Sequence, residues 1–162
     1  MRGAGSAEGR RPPMRRVIDA SVAAKWLAPE PESPQADRLL DDELLVPSLL
    51  FADVANVLWK KQAKGEMDIA TVAIASQWLL QLPLQVHDCA SLMKDALDLA
   101  VRLRHPAYDC FYLALARQTD CPLVTADRRM LERCRRPDVK DLAARIVFLP
   151  DLGGAPDLGV AS

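Results

Sequence analysis

The sequence predicts an α/β chain, a three-layer α/β/α fold around a central parallel sheet of about five strands. Short apolar runs recur at 16–19, 44–46, 84–86, 122–125 and 146–148, and the intervals between them carry helical periodicity. Strands that short, separated by helices, pair in parallel with a helical layer on each side. Half of the 162 residues are hydrophobic and only 5% are aromatic, which predicts one domain packed mainly by Leu, Val, Ile and Ala.

The elements follow in order. Arg16-Val17-Ile18-Asp19 reads as a buried strand ending in an acid, with Ser21 as the cap of the next helix. A loop rich in Pro and Glu runs from Pro29 to Pro34, and a helix follows to about Asp42. Leu44-Leu45-Val46 is the second strand, stopped by Pro47. Ser48 opens a long helix to about Lys64, with Gly65 as its terminator, and Asp68 starts another. After the third strand come helices at about 90–103 and 107–118. A fourth strand, a short helix after Asp127 and a fifth strand complete the pattern.

The folded domain is expected over residues 14–150. Residues 1–13 read as a disordered extension, which makes Met14 a candidate start, and residues 151–162 as a flexible tail. The first fifteen residues hold no apolar leader. No stretch reaches the roughly 20 apolar residues of a membrane span. Cys89, Cys110, Cys121 and Cys134 form no C-x-x-C pair, so buried reduced thiols in a cytoplasmic protein are expected. A net charge of −1 argues against a broad nucleic-acid coat, yet leaves room for local basic patches at Lys60, Lys61 and Lys64 or Arg128, Arg129 and Arg133.

Ligands of open parallel sheets bind beyond the carboxyl ends of the strands, where the strand order reverses. Asp19 ends the first strand and Asp127 lies just past the fourth. Asp109 sits in the first turn of a helix, where its charge also favours the positive helix end. Asp53 is embedded among Leu50, Phe51, Val54 and Val57, an apolar setting that penalises an unpaired acid. Two carboxylates about 5 Å apart repel by roughly 3 kcal/mol at an effective dielectric of about 20. If the four converge, either their pKa values rise or a cation joins them. All-oxygen ligation suits Mg²⁺, with Mn²⁺ as the alternative, and such an ion points to phosphate chemistry. His87 and His105 are not at ligand spacing and read as structural or surface residues. Ser21, Asn56 and Thr125 lie near the acids in sequence and are candidates for a supporting shell, with capping as an equal role for the two hydroxyls.

Four segments resemble the ordered motifs of the PIN-domain family: Val17-Ile18-Asp19-Ala20-Ser21, Pro47-Ser48-Leu49-Leu50-Phe51-Ala52-Asp53-Val54-Ala55-Asn56, Tyr108-Asp109-Cys110-Phe111-Tyr112 and Leu123-Val124-Thr125-Ala126-Asp127. The nearest branch is that of the VapC-like toxins of type II toxin–antitoxin systems. The resemblance implies a metal-dependent endoribonuclease that leaves 5′-phosphate and 3′-hydroxyl ends, with Asp19, Asp53, Asp109 and Asp127 catalytic. Asp19, Asp109 and Asp127 would hold the metal, while Lys60, Lys64 and Arg128 would hold flanking RNA phosphates. It also implies a small antitoxin partner and a homodimer. Asp53 stands where the family usually has Glu, and this departure is the support for an alternative reading: a catalytically weakened PIN-like module that binds RNA or a protein partner. A phosphatase or receiver that phosphorylates an aspartate fits less well, because Ser21 stands where the phosphatase needs its second acid.

Overall fold

The computed structural model describes residues 11–153. Five strands, β1 (Arg15–Ile18), β2 (Glu43–Pro47), β3 (Gln85–His87), β4 (Leu123–Thr125) and β5 (Ile146–Phe148), pair in parallel throughout, in the order β3-β2-β1-β4-β5. The expected three-layer fold is therefore present. The helices are α1 (Ala20–Leu27), α2 (Ser33–Arg38), α3 (Leu49–Ala63), α4 (Ile69–Gln81), α5 (Cys89–Leu103), α6 (Ala107–Thr119), α7 (Arg128–Cys134) and α8 (Lys140–Ala143).

The chain steps from β1 through β2 to β3 in one direction, then returns across the sheet to β4 and β5. Right-handed crossovers consequently put α1 to α4 on one face and α5 to α8 on the other. The direction of travel reverses between β1 and β4, so a crevice opens beyond Ile18 and Thr125. Val17, Ile18, Leu45, Val46, Leu123 and Val124 are buried between the layers. Tyr112 and Leu113 of α6 belong to the same continuous core.

Several local details differ from the sequence reading. Asp19, not Ser21, caps α1: its carboxylate accepts from the Ser21 and Val22 amides. Ser48 makes no capping bond; its hydroxyl accepts from the Cys89 amide and ties α3 to α5. Gly65 follows the end of α3 with φ of 73°, the left-handed geometry expected of a helix terminator. The helix expected to about Asp42 ends at Arg38 and continues as a 3₁₀ turn over Leu39–Asp41, while helix α8 and the 3₁₀ turns Pro137–Val139 and Leu149–Gly153 are too short to announce themselves by periodicity.

Most of the expected N-terminal extension and C-terminal tail lies outside the described residues. Within them, Arg11 pairs with Asp42 at 2.9 Å, and residues Leu149–Gly153 form a 3₁₀ turn. No helix among the described residues is long and apolar enough to cross a membrane.

Candidate functional site

The crevice at the β1/β4 reversal is organised around Asp19. Because Asp19 caps α1 from the end of β1, its carboxylate is fixed by backbone geometry before any side chain contributes. Two hydroxyls then clamp it. Ser21 Oγ donates to Oδ1 and Thr125 Oγ1 donates to Oδ2, both at 2.5 Å. Each hydroxyl accepts in turn from the chain leaving β4: Ser21 Oγ from the Ala126 amide at 2.9 Å, and Thr125 Oγ1 from the Asp127 amide at 3.0 Å. Two of the three supporting residues expected from sequence, Ser21 and Thr125, are thus in contact with an expected acid, and together they lock β1 to the β4–α7 turn. Burial raises the Asp19 pKa to about 6 against the lowering effect of these hydrogen bonds, and the charge of Asp109 adds to the rise.

Asp109 enters from the first turn of α6. The turn before it is shaped by Arg104, which ends α5 in left-handed geometry at φ 51°, and by Pro106. This places His105, with 7% of its side chain exposed, so that Nε2 lies 2.6 Å from Asp109 Oδ2. Asp127 caps α7 by accepting from the Arg129 amide at 2.9 Å. One potential ligand atom each from His105, Asp109 and Asp127 lie within 4.8 Å of one another. The sequence reading dismissed His105; the structure places it in the cleft. Asp19 falls outside this trio, yet stands close enough to Asp109 for their charges to interact.

Asp53 projects from the second turn of α3 and accepts from the Tyr112 hydroxyl at 2.6 Å. Burial raises its pKa, the tyrosine hydrogen bond opposes the rise, and the Asp109 charge reinforces it. Burial and the neighbouring Asp53 drive the Tyr112 hydroxyl well above its ordinary range, so it stays protonated and donates to Asp53. Tyr112→Phe would remove the donor that opposes the rise. We expect a stability loss of about 1–2 kcal/mol and a further rise in the Asp53 pKa, measurable by urea melts and by carboxylate titration in the NMR spectrum. An unchanged melt together with an unchanged titration would refute this role for Tyr112.

No Lys or Arg pairs with Asp19, Asp53, Asp109 or Asp127 among the described residues. Lys25 of α1 is committed to Glu30 and Glu32. Converging carboxylates without a basic partner, two of them raised in pKa, are a donor set suited to a divalent cation.

The outer part of the site is a cleft of about 530 Å³ lined by Arg104, His105, Asp109, Asp127, Arg129 and Arg133, among others. The basic residues expected at phosphates are not among those that line this cleft. Lys60 and Lys64 are exposed toward the end of α3, and the Arg128 guanidinium sits 5.0 Å from the centre of the Phe148 ring. Asn56 is exposed and makes no side-chain hydrogen bond among the described residues.

The family model described as PIN domain matches residues 16–136. Ribonuclease VapC3 of Pyrobaculum aerophilum is 36% identical over 124 residues, covering 74% of this chain and 95% of that protein. A crystal structure of a Pyrobaculum aerophilum protein superposes with a TM-score of 0.60 at 23% identity, over 85% of this chain and 90% of that one. VapBC2 from Rickettsia felis, solved bound to a DNA fragment from its promoter, gives 0.57 at 14% identity, over 83% and 98%.

Proposed function

The chain belongs to the PIN-domain family, and from that premise we propose a metal-dependent endoribonuclease, the toxin of a type II toxin–antitoxin pair, whose hydrolytic centre is formed by Asp19, Asp53, Asp109 and Asp127. One observation carries the residue assignment: the four acids gather at the β1/β4 crevice without a Lys or Arg partner among the described residues. Asp19, Asp109 and Asp127 hold the principal ion, Mg²⁺ or Mn²⁺. When bound, such an ion acidifies a water and offsets charge on the phosphoryl oxygens.

The chain's own residues do the positioning. Ser21 and Thr125 fix both oxygens of Asp19. Tyr112 fixes one oxygen of Asp53, and the other is left to support the ion site. That hold answers the loss of one methylene relative to Glu: the shorter acid is anchored, which favours an active enzyme over the weakened module. Arg104, Arg129 and Arg133 rim the cleft and supply phosphate contacts beside the acids, and Lys60, Lys64 and Arg128 hold phosphates farther along the RNA.

The test is cleavage of a labelled RNA by the purified chain. We expect turnover with Mn²⁺ or Mg²⁺, none after chelation, and 5′-phosphate ends on the products; no cleavage of any RNA with either ion would refute the enzyme reading. In the same assay an Arg129→Ala/Arg133→Ala variant should bind RNA more weakly. Its log–log salt dependence should flatten by about 1–1.5, from two lost contacts at roughly 0.7 each. An unchanged slope would remove these arginines from the interface.

Partner proteins are supported by exposed apolar surface. Helix α4 carries no charged residue and exposes Ile69, Ile74 and Leu80, and Trp59 of α3 is 61% exposed. We assign this face to the antitoxin. Trp26 of α1, by contrast, is partly buried, with its indole nitrogen donating to the Ala36 carbonyl. Met93, Leu97 and Val101 make an exposed stripe at i, i+4, i+8 on α5, which supports a homodimer. Cys89, Cys110, Cys121 and Cys134 are free thiols, in keeping with a cytoplasmic protein. Co-expression with the neighbouring small gene should restore growth; growth inhibition that persists would deny that gene the antitoxin role.

A further inference from the structure

His105 is the residue in the cleft that a site made only of carboxylates does not require. Its imidazole is not a free surface rotamer. The His105 amide donates to the Ala100 carbonyl at 3.2 Å, Arg104 before it is in left-handed geometry, and Pro106 after it restricts its backbone. The ring is nearly buried and is directed at Asp109, with Nε2 2.6 Å from Oδ2. With Asp127 it completes a trio of potential ligand atoms all within 4.8 Å of one another. Donors around one ion at about 2.1 Å lie about 3 Å apart when adjacent and about 4.2 Å apart when opposite. The trio therefore needs only side-chain adjustment to close on a single ion.

The chemistry of the set is mixed. Mg²⁺ prefers oxygen donors and retains its waters, whereas an imidazole nitrogen suits first-row transition ions. We infer that His105 Nε2 is a direct ligand, together with Asp109 and Asp127, and that this nitrogen–oxygen set selects Mn²⁺ over Mg²⁺. The inference rests on the reading of the cleft as a metal-dependent centre and adds the nitrogen ligand and the ion preference. Ligation needs the ring neutral with its proton on Nδ1, and the contact with Asp109 then belongs to the ion-free form.

The experiment is ion binding by the full chain, without RNA. Calorimetry with Mn²⁺ and with Mg²⁺ gives the two affinities, and pulsed EPR of the Mn²⁺-loaded protein reads the ¹⁴N coupling of a directly bound imidazole. His105→Gln keeps an N–H donor for Asp109 while removing the ring nitrogen. We expect clear ¹⁴N coupling in the wild type, Mn²⁺ bound at least ~10-fold more tightly than Mg²⁺, and selective loss in His105→Gln of ~10-fold or more in Mn²⁺ affinity. Both ions bound equally, with no nitrogen coupling, would overturn the inference and leave the carboxylate centre standing. Equal loss of both ions in His105→Gln would overturn it too, making His105 a positioning partner of Asp109. No binding of either ion would overturn this inference and the metal-dependent reading beneath it. The wild-type EPR result decides the ligand even if the variant fails to fold.

Discussion

Asp109→Asn should lower single-turnover RNA cleavage by ~10²-fold or more, because loss of several kcal/mol of transition-state charge stabilisation is at stake and each 1.36 kcal/mol is a factor of ten. Asp109 is the acid to which the rest of the site refers. His105 contacts its Oδ2 at 2.6 Å, and burial raises the pKa of both Asp19 and Asp53 with the Asp109 charge adding to the rise. Asn has nearly the same shape and removes the charge. In the ion-free protein that removal relieves the other acids, so the variant should fold at least as stably as the wild type. A fall in cleavage with an undiminished melting temperature then reports on chemistry, and the same variant should lose divalent-ion binding by calorimetry. Cleavage retained to within about threefold, less than 1 kcal/mol of barrier, would eliminate Asp109 as a metal-holding residue.

The fold was legible because it depends on local pattern. Apolar runs and intervening helical periods led to the parallel sheet, and the sheet led to its carboxyl edge. Asp19 and Asp127 were found by that rule, and Asp53 by the cost of placing an acid among Leu50, Phe51 and Val54. What escaped was either a matter of a single residue of register or of long range. Ending β1 at Ile18 turns Asp19 from the last strand residue into the cap of α1, with Ser21 as its donor. Tyr112 meets Asp53 across 59 residues of sequence, which no spacing rule reveals. His105 did leave a signal. Its separation of four from Asp109 is the interval at which side chains meet on a helix, and it was missed because His105 precedes the helix behind Pro106. Basic residues were judged by clustering alone. The sheet topology, which brings the ends of α5 and α6 beside α7, is what puts Arg104 with Arg129 and Arg133 on one rim.

Asp19→Asn should stabilise the ion-free protein at pH 8 while abolishing cleavage. The Asp19 pKa is raised in the fold to about 6, from 3.8 for an unperturbed group, chiefly by burial. A carboxyl raised in this way holds its proton more tightly folded than unfolded. Its favourable contribution is complete below about pH 3.8 and is lost as pH rises through about 6. Above that window the buried charge costs the fold up to about 3 kcal/mol relative to a neutral group. Asn removes the charge and fits the existing donors: its carbonyl can accept from Ser21 and Val22 in place of Oδ1, and its amide can donate to Thr125 Oγ1. Losing one favourable hydroxyl orientation reduces the gain, so about 2 kcal/mol is expected at pH 8. The advantage should vanish near pH 4, and saturating Mn²⁺ should close the gap at pH 8 by stabilising the wild type alone. Urea melts at the two pH values, with and without ion, measure all three outcomes. A variant less stable than the wild type at pH 8, or a gain independent of pH, would mean that the Asp19 charge is already compensated within the chain, and that the fold does not hold this acid at a cost which an ion relieves.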